Sequence, residues 1–231
     1  MARAWCGVNG PRAPQEFVEL LSDLVSAQHL DGAKGWPEHE ARIDDLPGEP
    51  PNIDLALVSD GRLGRTVVCI EAKADEPFGE DVLSLLNAAV VKIARDEGTG
   101  AIERLQRLAE SLLPSWEPGL PHLVDIRYQL LTATAAALAL AKLHHAKVAA
   151  VVIHEFAIEG FVDPSKQRRN AHDLDQFIRR ITRGARTSLS FGELVSIAAP
   201  SSHRDWREVS LYIGKVRSMG VPAPQSPERA F

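Results

Sequence analysis

Between Asn52 and Lys73 two apolar runs, NIDLALV and RTVVCIEAK, flank the turn sequence SDGRLG. Ser, Asp and two glycines supply the backbone conformations that reverse a chain, and β-branched residues crowd the second run. The segment is therefore predicted to be an antiparallel hairpin. In its first strand Ile53, Leu55 and Leu57 alternate with Asp54, Ala56 and Val58; in its second Val67, Cys69, Glu71 and Lys73 share one side. The second strand begins apolar on both sides, which places it inside the sheet. A chain with such a hairpin has to build a sheet and cover it. The hairpin also carries a puzzle, because buried charges are costly unless they are paired or bind a cation. Asp54, Glu71 and Lys73 stand in or at the end of apolar strands.

The flanking segments supply the cover. A first helix is predicted through PQEFVELLSDLV, with Pro14 in its first turn and an apolar stripe of Phe17, Leu20, Leu21 and Leu24. Glu16 flanks that stripe and Glu19 points nearly opposite. Residues 31–52 are rich in Gly and Pro and read as loop, with a short strand near ARIDDL. Two helices are expected within 80–113, then the Pro-rich loop PSWEPGLPH and a longer helix over about 124–145. KVAAVVIHEF reads as a buried strand, AHDLDQFIRRITR as an amphipathic helix and EVSLYIGKV as a last strand. The order predicts an α/β fold, a central mixed sheet flanked by helices. The 231 residues suffice for one ordinary core, so a single domain is expected over 1–219, followed by a disordered, proline-containing tail over 220–231.

Composition narrows the classes. Apolar residues make up 45% and charged residues 25%, as in soluble globular proteins. Cys6 and Cys69 form no zinc spacing, and Cys69 reads as an inert core thiol. The longest membrane-span candidate, residues 132–152, is interrupted by Lys142, His144, His145 and Lys147, and the N-terminal residues lack the apolar core of a signal peptide. A cytoplasmic location is the resulting expectation. The net charge of −5 opposes indiscriminate nucleic-acid binding, since phosphate affinity comes from Lys and Arg. Arg168, Arg169, Arg179, Arg180, Arg183 and Arg186 do cluster, either as a surface that touches DNA or as a solvated helix face.

Antiparallel neighbours can bring Asp54 close to Glu71, and two converging carboxylates make a hard-oxygen site suited to Mg²⁺ or Mn²⁺. Such an ion stabilises charge on a phosphate and turns a bound water into a nucleophile. Lys73, two residues beyond Glu71, can reach the same place to orient that water or neutralise the transition state. Together these groups suit phosphodiester hydrolysis.

An Asp on one strand followed by Glu-x-Lys on the next resembles the PD-(D/E)xK nucleases, the restriction-endonuclease-like superfamily. The pattern stands here as Asp54, then Glu71-Ala72-Lys73, after a helix carrying Glu16. EAKADEPFG, RYQLL and VVIHEF further resemble its bacterial restriction-endonuclease-like members. The resemblance implies an αβββαβ core over about 14–156, metal ligands from Asp54, Glu71 and the Ala72 carbonyl, and a catalytic Lys73. It also implies a first-helix carboxylate, for which Glu16 fits better than Glu19. Some members place a Gln and a Tyr on the helix after the motif, which Tyr128 and Gln129 echo at a different spacing; the family's Pro before the Asp is Ile53 here. A DNA substrate, Mg²⁺ or Mn²⁺ and a possible homodimer are what the resemblance implies for partners.

Other motifs fall away. His154-Glu155 begins like HExxH, but Ile158 stands where the second His is required and the setting is a strand. Gly98-Thr99-Gly100 lacks the Lys-Ser/Thr of a phosphate loop, and Glu76 reads as a loop carboxylate. Three readings remain: a metal-dependent nuclease, a catalytically silent module of the same fold that binds nucleic acid or protein, and a hydrolase of small phosphate esters.

Overall fold

The computed structural model describes residues 6–7, 10–158, 160, 162–198, 206 and 208–220. The predicted hairpin is its centre. Strand β2 (Asn52–Gly61) and strand β3 (Gly64–Lys73) pair antiparallel from Leu55↔Ile70 to Gly61↔Gly64. At the turn Gly64 adopts φ 105°, a conformation that favours glycine. Gly61 has a different reason: a Cβ there would sit 2.3 Å from the Leu24 carbonyl oxygen. That oxygen accepts from Arg62 N–H at 2.8 Å, so the chain after the first helix is tied onto the turn.

Around the hairpin a six-stranded sheet forms in the order β1-β2-β3-β4-β6-β5. β1 (Lys34–Glu40) pairs antiparallel with β2, and β4 (Val148–Ile158) and β6 (Ser210–Gly220) extend the sheet parallel to β3. β5 (Glu193–Ile197) closes the far edge antiparallel to β6. β3 and β4 are central and carry the longest buried runs, as the apolar sequence on both their faces requires.

Helices cover both faces. On one side α1 (Gln15–Leu20), the turns that follow it and α2 (Ala27–Asp31) bring Phe17, Leu21 and Leu30 onto Val68, Ile70, Val152 and Val216. On the other, α4 (Ala101–Leu112), α5 (Tyr128–Leu143) and α6 (Pro164–Ile181) pack Leu105, Leu131, Leu138 and Phe177 into the cluster that holds Cys69, Val151 and Ile213. α3 (Val82–Ala94), capped by Asp81 accepting from Ser84 N–H at 2.7 Å, buries only Val82 and Ala89. Among the described residues no helix is long and apolar enough to cross a membrane.

Several expectations shift. The strand expected near ARIDDL lies earlier, at Lys34–Glu40, and the ARIDDL loop is instead tied to α4 by the paired contacts of Arg104 with Asp44 at 2.6 and 3.0 Å. The long helix begins at Tyr128, after a 3-10 turn at Leu123–Asp125. Ile53 packs with the α5-side cluster although it alternates with Leu55 and Leu57. The ladder to β3 starts only at Leu55, and Glu38 opposite is left-handed at φ 48°, so strict alternation fails at the start of β2. The tail beyond Gly220 lies outside the described residues.

Candidate functional site

At the C-terminal end of β3 the hairpin ladder stops and side chains take over its hydrogen bonds. Asp54 Oδ2 accepts from Ala72 N–H at 2.7 Å, replacing the strand partner that Ala72 lacks on that side. An extended residue points its N–H and C=O to the same edge, so the Ala72 carbonyl opens toward Asp54 as well. Glu71, only 1% exposed, accepts from Gln129 Nε2 at 2.7 Å on Oε2 and stands 3.7 Å from Lys73 Nζ. Lys73 is 6% exposed, and its ammonium lies 5.5 Å from the Phe78 ring centroid. Both charged groups are thus buried at the strand end and not solvated there. Beyond the strand, Glu76 Oε2 closes the turn by accepting from Ala74 and Asp75 N–H at 3.0 and 3.1 Å.

Electrostatics mark Glu71 as the strained member. Burial pushes its carboxyl up to about 8; Lys73 pulls it back down, while Asp54 and Glu38 add to the rise. Its Oε1 is buried without a hydrogen-bond partner, an arrangement that costs on the order of 1–3 kcal/mol when nothing else approaches. A hard cation between Asp54 and Glu71 would satisfy that oxygen and hold the carboxyl ionised, so the donor set fits Mg²⁺ or Mn²⁺. Two carboxylates and a carbonyl would make a partial shell, to be completed by water. Among the described residues no group of three or more His, Cys, Asp or Glu side chains gathers to hold a metal by itself. Cys69, one pleat below, is a buried free thiol whose pKa burial and Glu71 both raise, which makes it unreactive.

Asp54, Glu71, Ala72 and Lys73 are therefore brought together, and Gln129 joins them. Glu16 is not with them. Ser218 Oγ donates to Glu16 Oε1 and lies 2.7 Å from His154 Nε2, on the α1 side of the sheet. Ser218 alternates with Arg217, so this group and the Glu71–Lys73 pair occupy opposite faces. Tyr128, next to Gln129, is half-buried against the α5-side core. The arginine cluster is mostly spent internally. Arg179 and Arg180 donate to the Gly119 and Pro114 carbonyls, Arg183 pairs with Glu117 at 3.5 Å, and Arg186 pairs with Glu193 at 2.9 Å.

Sequence reasoning missed the polar residues that β4 and β6 set beside Lys73. The register aligns Lys73 with Glu155 and Glu155 with Arg217. Glu155 is buried between Lys215 Nζ, 3.5 Å from Oε2, and Arg217 Nε, 2.9 Å from Oε1. The signal was present as polar residues ending apolar strands, HEF in β4 and GKVR in β6, but their neighbours depend on parallel pairing between distant segments.

No curated protein and no solved structure matches the chain. Over residues 1–219 it matches the family described as "Domain of unknown function (DUF6946)", and to that family the chain belongs.

Proposed function

We propose that the chain is a metal-dependent nuclease of the PD-(D/E)xK type that hydrolyses phosphodiester bonds in DNA. The observation that carries the reading is the unsatisfied, buried Glu71 Oε1 beside Asp54 and the Lys73 ammonium. The succession of α1, the β1–β2–β3 meander, α5 and β4 parallel to β3 agrees with the αβββαβ order the resemblance implies. Asp54, Glu71 and the Ala72 carbonyl would hold Mg²⁺ or Mn²⁺, which when bound supplies positive charge for the phosphate and a more acidic water. Lys73, its Nζ 3.7 Å from Glu71 Oε2, orients that water or hydrogen-bonds the phosphate oxygens. Gln129 fixes the Glu71 carboxylate by holding Oε2. Glu16 has no part in this arrangement.

A silent module of the same fold is the second reading. It is favoured by the bonds from Ala72 N–H to Asp54 and from Gln129 to Glu71, which hold one oxygen of each carboxylate without a cation.

Cleavage of supercoiled plasmid and of single-stranded DNA with Mg²⁺ or Mn²⁺ separates the two. The wild type is expected to cut only with metal, and Asp54→Ala not at all. Lys73→Met keeps the buried stem while removing the charge, and its rate is expected to fall about 10²–10³-fold. Thermal melting adds an independent readout, because a ligand that binds only the folded state raises its stability. Mg²⁺ is expected to raise the Tm of the wild type and leave that of Asp54→Ala unchanged. A wild type that neither cuts nor responds to either metal establishes the silent module.

A further inference from the structure

The row Lys73, Glu155, Arg217 ends under an aromatic ring that the apolar core does not use. Phe191 is 43% exposed and belongs to neither apolar cluster. Its ring centroid lies 4.2 Å from Lys215 Nζ and 4.1 Å from Arg217 Cζ. The position is fixed: Gly192, left-handed at φ 77°, donates its N–H to the Lys215 carbonyl at 2.8 Å, and Glu193 pairs with Lys215 in the ladder. Glu155 in turn fixes both cations from below. The result is a guanidinium held over an exposed ring, with Arg217 itself still 36% exposed.

Neighbouring strands lie about 4.8 Å apart, so Arg217 stands roughly 10 Å from Lys73 across two strand spacings. A short stretch of extended single strand covers that distance. Stacking is available only to a base that is not already stacked within a duplex, and aromatic rings and arginine planes supply it without regard to sequence. Duplex affinity, by contrast, draws on many phosphate contacts. Here three cations, Lys73, Lys215 and Arg217, face two carboxylates, Glu71 and Glu155, on a chain of net charge −5.

We infer that Phe191 and Arg217 form a stacking platform for an unpaired base of single-stranded DNA whose backbone passes Lys73. The inference rests on the nuclease reading for the strand's path, and it names that site's substrate as an unpaired strand or frayed end.

Binding without metal tests it apart from cleavage. Fluorescence anisotropy of labelled oligo(dT) and of a blunt oligo(dT)·oligo(dA) duplex is measured in EDTA with the full chain. The wild type is expected to prefer the single strand, and Phe191→Ala to lose about tenfold in that affinity while duplex binding stays as it was. Phe191→Trp is expected to keep the affinity, and the emission it adds over the wild type is expected to be quenched by oligo(dT). The inference is overturned if Phe191→Ala binds oligo(dT) as the wild type does, if both substrates lose equally, or if the new indole is blind to saturating oligo(dT). In those cases metal-dependent cutting by the wild type still upholds the nuclease reading. Phe191-dependent binding with no cutting upholds the platform and removes the nuclease. A wild type that binds neither DNA in EDTA removes the platform, and removes the nuclease as well only if it also fails to cut with metal.

Discussion

A buried carboxyl group is tolerated through its partners, and the sheet solves this twice in different ways, with half-buried Glu16 of α1 a third case beside it. Glu71 relies on one lysine and one amide and leaves an oxygen over, the one the proposed cation would meet. Glu155 is fully used by Lys215 and Arg217. Glu16 reaches Ser218, whose hydroxyl also meets His154. That last group has a pH signature. Burial pushes His154 down to about 4, with Glu16 opposing the shift. The unfolded chain, with an ordinary histidine near 6.5, takes up a proton the folded chain refuses, so stability is full above about pH 6.5 and falls as pH drops toward 4. At pH 5 this histidine is expected to cost about 1–2 kcal/mol relative to pH 7. His154→Gln does not titrate, and urea unfolding at the two pH values is expected to show a correspondingly smaller loss. Equal losses in both proteins would assign the acid sensitivity to other groups.

Among elements, the hairpin was the most legible, because local alternation and turn chemistry both act within two dozen residues. Asp54, Glu71 and Lys73 could be placed together for the same reason. The edge strand β1 was misplaced: it is exposed along most of its length and contains Gly35 and Pro37, so no face of it shows an apolar pattern. β5 was missed because five residues at a sheet edge are too short to show a period. Glu16 was assigned to the hairpin's site from its place before the strands, yet sequence order does not say which face a helix covers. The segment just after α1 is tied to the hairpin turn, where Gly61 meets Leu24, and this holds α1 on its face. Gly61→Ala forces the Leu24 carbonyl away and breaks its bond from Arg62, and is expected to destabilise the fold by about 1–3 kcal/mol. Chemical denaturation checks this; a wild-type midpoint would show that the segment after α1 moves without penalty.

At the scale of the whole molecule, the sheet divides its polar groups between two faces and its pairings between two distances along the chain. The α5 side collects Glu71, Lys73, Glu155, Lys215 and Arg217, and Arg179 and Arg180 of α6 are spent on the 114–120 loop. Neither outcome was legible in sequence, since both follow from contacts between segments that are far apart. Only Arg62 and Leu63 separate β2 from β3, whereas β3 meets β4 through residues as distant as Thr66 and Val148. That difference has a kinetic meaning. Hairpins close in roughly 1–10 μs, and parallel pairing across long loops is slower. The two carboxylates, at the open end of that hairpin, are thus expected to meet early in folding, with Gln129 and the cations of β6 arriving afterwards. Pulse-labelled hydrogen exchange during refolding is expected to show the Ala72 amide, held by Asp54, protected before the amides of Ile213 and Lys215. Simultaneous protection would mean instead that the sheet closes in one concerted step and that the acidic pair never exists without its basic neighbours.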